Sequence, residues 1–370
     1  NGVIMVTTKR AKAGDARVTF DAKWGVNTPA RKLYDYVKDP GQYYEMHYTA
    51  LYNYFLDQGS DAGEAYSKAV SRLTSNEVGG LGYNVYTVPE GQNLIGTNGK
   101  LNPNATLGRV VYVEDKDTKE RSYYTLKPDD WYDELYDPSL RQEYNLNISG
   151  ATEKSSFFAS LGLLDNVGIT DGSDMQRWTA RLRGDYQAKK WLKVGANMNY
   201  TRFEWNGASS ANEGDGSTAD VFSSVANLAP IYPVYIRDGD GEIMKDQYGW
   251  DLYDTGDGRD NGVLGPHANL ANPLQLIGLN ESYSEGNAFG VNGFADFIMA
   301  EGLKLTVNGA INIDETRGTS LQNPYYGQYV ANGGIVSKSH YRTYSHNFQQ
   351  LLTYATTFGA DDMHNIDFLL

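Results

Sequence analysis

The 370-residue chain carries 46 acidic against 32 basic residues, a formal net charge of -14, which excludes the basic footprint of a nucleic-acid binder. It has no cysteine, so disulfides and thiolate metal sites are excluded as well. A mean hydropathy of -0.53 coexists with 29 Tyr, 12 Phe, 6 Trp and 40 Gly, too aromatic for a disordered chain, and no apolar run approaches the ~20 residues of a transmembrane helix. Strands of a transmembrane β-barrel escape that last test, because they alternate apolar and polar residues and look hydrophilic on average.

The opening stretch, NGVIMVTTKR (Asn1 to Arg10), reads as a buried strand, with a β-branched run from Val3 to Thr8. After a short basic linker, VTFDAKWGVN puts Val18, Phe20, Ala22, Trp24 and Val26 on one face, with Thr19, Asp21, Lys23 and Asn27 on the other. The same period-2 pattern returns in EYNLNISG (Tyr144, Leu146, Ile148), FFASLGLL (Phe157, Ala159, Leu161, Leu163) and RWTARLRGDYQ (Trp178, Ala180, Leu182, Tyr186 against Arg177, Arg181, Arg183). It continues through LKVGANMNY, AFGVNGFADFIMA, LKLTVNGAINID and SHNFQQLLTYATTF, and HNIDFLL reads as a ninth strand.

The connections alternate. Counting from Val18, tight turns follow the second, fourth, sixth and eighth strands (GATEK, AKK, EGL, GADDM). Longer links follow the first, third, fifth and seventh: residues 29 to 139, about 165 to 175, 207 to 283, and roughly 317 to 335. One end of the sheet therefore carries the turns and the other the loops, the rule of outer-membrane barrels. A soluble β-sandwich also alternates polar and apolar residues, but its loops seldom segregate by end.

In the first long loop, Asp39 and Pro40 form an N-cap and first helical position, with Tyr44, Tyr48, Leu51 and Phe55 at helical spacing. A second amphipathic stretch presents Tyr66, Ala69, Val70 and Leu73 on one face. In the second long loop, PVYIRDGDGEIMKDQYGWDLYD reads as a hairpin with its turn at Asp238 to Gly241.

Catalytic and metal signals are weak. Asp238, Asp240 and Glu242 have the alternating spacing of a calcium loop but lack its remaining ligands, so a solvated turn explains them. The five histidines show no zinc-type pairing, and His340 and His346, which share a strand face, fit polar lumen positions. Gly79 to Gly82 lacks the Lys-Ser/Thr tail of a phosphate loop, and no nucleophile elbow occurs. No enzyme, cofactor, catalytic residue or metal site is expected.

The segment DDWYDELYDPSLRQEYNLNISGATEKSSFFASLGLLDNVGITDGSDMQRWTARLRGDYQAKKWLKVGANMNYTR, followed by APIYPVYIRDGDGEIM, LANPLQL, NPYYGQY and NFQQLLTYATTFGADDMHNIDFLL, resembles the SusC/RagA family of TonB-linked (TonB-dependent) outer-membrane transporters of Bacteroidetes-type bacteria. The resemblance implies an all-β fold: a transmembrane antiparallel β-barrel, represented here by about nine strands of an expected 22, with short helices in long extracellular loops. It implies the last strand of a plug domain at residues 1–10, a linker at 11–17 and the N-terminal part of the barrel at 18–370. Val3 to Thr8 is then expected beside or inside the barrel wall, and the chain reads as a fragment of a larger protein, since an open sheet would expose unpaired edges to lipid.

The function so implied is TonB-dependent import of oligosaccharides or peptides across the cell outer membrane. The partners are membrane lipid, a SusD-like surface lipoprotein acting as a lid and the TonB-ExbB-ExbD complex, with no nucleic acid. Aromatics near the loop bases, Trp205, Trp250, Tyr253, Tyr325 and Tyr326, are the candidate substrate contacts; an interfacial aromatic girdle or loop packing would use the same residues. A surface receptor or adhesin without transport is the alternative function, and a secreted glycan-binding or glycan-hydrolysing β-protein a third.

Overall fold

A computed structural model describes residues 14–30, 36–207, 221–265, 271–358 and 364–370; the expected strand at Val3 to Thr8 lies outside the described residues. β1 (Gly14–Asn27) leads into a long loop that holds α1 (Pro40–Asp57), α2 (Ala62–Leu73), short strands β2 (Tyr86–Thr87), β3 (Thr106–Leu107), β4 (Arg109–Glu114) and β5 (Arg121–Leu126), and α3 (Trp131–Leu135). Four long strands follow: β6 (Ser139–Ala151), β7 (Ser155–Val167), β8 (Asp174–Lys189) and β9 (Leu192–Asn206). The second long loop holds α4 (Val221–Asn227) and α5 (Pro273–Leu279), and the chain continues through β10 (Glu281–Ala300), β11 (Leu303–Gln322), β12 (Ile335–Phe358) and β13 (His364–Leu369).

β1 and β6 to β13 form one nine-stranded sheet in sequence order, with antiparallel neighbours throughout. These are the nine strands expected from the alternation. Residues 152–154, 190–191 and 301–302 make tight turns at one end, while the long links leave β1, β9 and β11 at the other and return there to β6, β10 and β12. The link at 168–173 is shorter than expected, because β7 and β8 run on past their apolar alternation.

The register keeps the side-chain phase across the sheet. One row of directly opposed residues runs Phe20, Leu146, Leu161, Ala180, Tyr200, Phe289, Ile313, Tyr344. The adjacent row on the opposite face runs Thr19, Asn147, Ser160, Arg181, Asn199, Gly290, Asn312, Ser345. A one-residue slip at any strand would mix the two rows. On the polar face Asp185 accepts from the Ser156 hydroxyl (2.6 Å) and lies 3.4 Å from Lys193, and Thr306 donates to Asp296 (2.7 Å).

The apolar face is exposed, with Phe20, Trp24 and Phe348 each 65% accessible. On β11 it spans Leu303 to Ile313, ten steps, or about 33 Å along the strand at ~3.3 Å per residue. At a strand tilt near 40° that is about 25 Å of height, the thickness of the apolar band of a membrane barrel. Aromatic side chains border it. Trp24, Tyr144 and Trp178 lie toward the loop end, with Trp24 donating to the Tyr144 hydroxyl (3.0 Å), and Trp191 stacks on Phe297 toward the turn end.

The register corrects the reading of the histidines. His346 lies opposite Ile311 and His340 opposite Arg317, so both share the face that carries Ile313 and Tyr344, and neither occupies the polar face. Their common parity was legible, but the sign of the face depends on the register with β11.

The conventional hydrophobic core lies in the loops. Tyr44, Tyr48 and Leu51 of α1 pack with Ala69 and Leu73 of α2, with Tyr83, Val85 and Ile95, and with Ile231 and Tyr232 from the second long loop. Asp39 caps α1 by accepting from Gly41 N, and Asp61 caps α2 by accepting from Glu64 N. A buried bidentate ion pair joins the two loops: Arg237 meets Asp129 at 2.6 and 3.0 Å, and Asp129 also accepts from Val234 N. Breaking such a pair costs about 3–5 kcal/mol, since the remaining charge stays buried.

Three glycines in the wall are covered by the phenylalanine directly opposite: Gly150 by Phe157, Gly195 by Phe294 and Gly286 by Phe203. A Cβ on Gly286 would sit 2.4 Å from the Phe203 ring and 2.9 Å from the Glu315 carbonyl oxygen. Gly286→Ala is therefore expected to destabilise the sheet by about 1–3 kcal/mol through overpacking. Paired Gly286→Ala and Phe203→Leu substitutions should recover part of the loss, measured as the urea midpoint of the refolded protein in detergent.

Candidate functional site

At the loop end, backbone turns gather four aromatic rings. The expected hairpin forms with a second turn that sequence reading missed: Tyr235 bridges Tyr253, Arg237 bridges Ile243 and Lys245 bridges Asp251. In the first turn Asp238 Oδ1 accepts from Asp240 N and Glu242 N, both at 3.0 Å, so this carboxylate closes a turn. Among the described residues no cluster of three or more metal-ligating side chains occurs.

The second turn is built on Asp246. Its Oδ1 accepts from Tyr248 N (2.8 Å) and Trp250 N (2.9 Å), which fixes the two rings 5.2 Å apart on one side of the turn. Its Oδ2 accepts from the Tyr326 hydroxyl (2.5 Å), tethering the loop between β11 and β12. That loop has its own organiser. Asn323 Oδ1 accepts from Tyr325 N and Tyr326 N, and Asn323 donates from its backbone and side-chain nitrogens to Asn280 Oδ1.

Tyr325 consequently meets Tyr248 at 5.0 Å and Trp250 at 5.1 Å, both edge to face, and Tyr326 meets Tyr248 at 6.3 Å. Tyr248, Trp250 and Tyr325 remain about two-fifths exposed. Ring faces fixed in this way suit the C–H faces of sugars or apolar and aromatic peptide side chains. Of the candidate residues, the structure brings Trp250, Tyr325 and Tyr326 together. Tyr253 packs instead against Tyr235 (4.9 Å), whose hydroxyl donates to Glu134. Trp205 stands apart on the polar face of β9, opposite Met175 and Ser284.

Tyr248 and Asp246 were missed. The signal was the spacing Asp246, Tyr248, Trp250 around a turn glycine, Gly249 at φ 83°, but it could not reveal that the tyrosine pair 80 residues on completes the cluster. Burial works to raise the Asp246 carboxyl, and the donors from Tyr326, Trp250, Tyr248 and Gly249 outweigh it, holding the group below its ordinary value. The stability it lends is thus present above the usual carboxylate range and lost as pH falls through its depressed value.

Asp254, at the foot of the hairpin, shows the opposite behaviour. Burial pushes its carboxyl up to about 6, against the donor from Gly256 N, with Asp260 and Asp257 adding to the rise. Its backbone is knotted into the core, donating to Val234 O and accepting from the fully buried Asn272 side chain (2.8 Å).

No family model matches the chain. Curated relatives are TonB-dependent receptors of Formosa agariphila: receptor P3, 25% identical over 249 residues covering 65% of this chain and 22% of the relative, and receptor P26, 24% identical over 242 residues covering 64% and 21%. Receptor P39 is 31% identical over 119 residues, 32% of this chain and 10% of the relative. The chain thus spans about a fifth of the length of the first two relatives.

Among solved structures, the RagAB peptide importer in its closed-closed state superposes with a TM-score of 0.60 at 20% identity, covering 98% of this chain and 35% of that one. The RagAB peptide transporter gives 0.57 at 18%, covering 95% and 34%. The fold is that of a partial β-barrel of the TonB-dependent transporter type. The chain's homologues are TonB-dependent receptors from a Bacteroidetes species, as the SusC/RagA resemblance implies.

Two outcomes test the site's electrostatics. Asp246→Ala should release Tyr326 and both turn amides, seen as a red-shifted, more quenchable Trp250 emission in a protein retaining Trp250 as its sole tryptophan, with the strand signal in far-UV circular dichroism unchanged. For Asp254, the raised value means that its favourable contribution is complete below about pH 4 and is lost as pH rises through about 6. Asp254→Asn, which keeps the Oδ1 acceptor, should therefore flatten the pH dependence of amide-exchange protection at residues 231–237 across that window.

Proposed function

We propose that this chain supplies wall strands and extracellular loops of a TonB-dependent importer that takes up oligosaccharides or peptides across the bacterial outer membrane. On this reading residues 1–10 are the last strand of a plug, 11–17 the linker and 18–370 the first part of the barrel. The loop end faces the exterior, a SusD-like surface lipoprotein closes over it, and the TonB-ExbB-ExbD complex drives release through the plug. The chain does binding and conduction with no covalent chemistry.

The observation that carries this reading is the Tyr248, Trp250, Tyr325 and Tyr326 cluster, fixed by Asp246 at the end of the sheet from which the long loops emerge. A rigid aromatic platform there offers capture with little ordering cost. Oligosaccharide stacking and peptide side-chain burial both suit it.

The double substitution Trp250→Ala and Tyr325→Ala tests it in cells that depend on the protein for a defined oligosaccharide or peptide. Surface binding should weaken about ten-fold or more, the usual consequence of removing two central aromatic anchors, and uptake should fall in parallel, with the protein's level in the outer membrane unchanged. Undiminished uptake would remove the platform from the import pathway. Binding lost without any effect on growth on either nutrient class would favour the receptor or adhesin reading.

A further inference from the structure

Above the apolar band, the outward face of β10 to β12 turns abruptly ionic. On β12, Lys338, His340 and Arg342 alternate on the face that carries Tyr344 one step nearer the turn end. Opposite them on β11 stand Thr319, Arg317 and Glu315, and opposite those on β10 Tyr283, Glu285 and Asn287. Arg202 and Glu204 on β9 complete the group. Arg317 lies 2.6 Å from Glu315 and 3.7 Å from Glu285, Arg202 lies 2.5 Å from Glu204 and 3.5 Å from Glu285, and His340 lies 3.0 Å from Glu315.

Four permanent cations therefore face three carboxylates, a local positive balance in a chain whose net charge is -14. At the edge of this group lies a groove of about 410 Å³ lined by Tyr283, Glu285, Arg317, Thr319, Lys338 and His340, so that two of the permanent cations and one of the carboxylates border it. Its height is set by the band beneath it. On β11 the continuous apolar run ends at Ile313, and the next outward positions are Glu315, Arg317 and Thr319 before Leu321, so the groove begins where about 25 Å of apolar wall ends. Anything occupying it must reach it along the outside of the barrel.

We propose that this groove binds the phosphate groups of an anionic lipid in the outer leaflet, with Lys338 and Arg317 as the cationic contacts that line it, Arg342 as a third cation one outward position beyond His340, and the Phe289, Ile313 and Tyr344 row beneath as the seat of the acyl chains. Guanidinium and ammonium groups at a membrane surface attract anionic head groups, and arginine pairs with phosphate through two parallel N–H donors. Glu285 and Glu315 hold Arg317 in place and temper the site, so that a ligand must bring enough negative charge to compete. The assignment rests on the barrel orientation proposed above; the cation spacing on β12 is independent of the aromatic platform.

The test uses the protein purified from outer membranes in mild detergent, with bound phosphorus quantified and bound lipids identified by native mass spectrometry. The wild type should retain a phosphate-bearing lipid. Lys338→Gln with Arg342→Gln should lower its affinity for vesicles containing phosphatidylglycerol roughly five-fold per cation, about twenty-five-fold in all, while Lys338→Arg with Arg342→Lys preserves it. Glu285→Gln should strengthen retention, the opposite sign.

Inorganic phosphate at millimolar concentration should not displace the lipid; if it does and binds alone, the site takes free phosphate and the lipid assignment falls. Equal binding to phosphatidylcholine vesicles, or an unchanged affinity in the Gln double variant, overturns the proposal. A heat-modifiable band on gels confirms that each variant is folded. Failure of the wild type itself to fractionate with outer membranes would instead overturn the barrel reading.

Discussion

The structure depends on one constraint: a nine-stranded antiparallel ladder in which side-chain alternation keeps its phase through the middle of the wall, with register shifts only near strand ends, between Gly14 and Arg17, Gln187 and Lys189, and Ile298 and Ala300. The inner strands β6 to β11 each pair with a neighbour on both sides, the arrangement that lets strands cross hydrocarbon without helices. With the ladder in register, Phe20 on β1 and Tyr344 on β12 fall on one face although separated by most of the chain. The Phe-over-Gly pairs are local solutions within this arrangement, filling the space a missing Cβ leaves and tightening the approach of adjacent strands.

The loops solve a different problem. Their polypeptide cannot satisfy itself by strand pairing alone, so buried side-chain polar groups substitute for the ladder. Asn272 bridges the backbone of Val234 and Asp254, Asn280 receives both nitrogens of Asn323, and Asp129 ties Arg237 to Val234 N. Low-dielectric surroundings make such contacts costly to break. The aromatic cluster inherits its rigidity from these latches, since Asp246 and Asn323 each position two rings through backbone amides.

The wall was legible because period-2 alternation is a local property, readable within eight residues. Its extent was not, and the reason is physical. Beyond the apolar band the outward positions become ionic, as at Arg202, Glu204, Glu315 and Arg342, so hydropathy stops alternating while hydrogen bonding continues; β12 begins at Ile335, ten residues before its apolar pattern does. The caps of α1 and α2 were legible for the same local reason. The Arg237 to Asp129 pair and the Asp246 to Tyr326 bond join residues 108 and 80 apart, and no spacing in the sequence encodes them. The Asn-Pro motifs at Asn272 and Asn323 stood out through family resemblance, and their physical role is the latch each asparagine makes.

The location of the core divides the chain between two solvents. The loops bury Tyr44, Leu73, Val85 and Ile231 against one another and gain hydrophobic stabilisation in water, whereas the wall keeps its large apolar side chains on the outside and gains that stabilisation only where lipid replaces water. During biogenesis the two halves thus have separate thermodynamic schedules. Loop segments can condense while the chain is still in an aqueous compartment, but the wall strands stay insertion-competent only as long as something shields their outward faces. On the proposed orientation, a compact loop assembly formed too early would have to cross the bilayer whole, so that reading implies that the first and second loops join through Arg237 and Asp129 only after translocation.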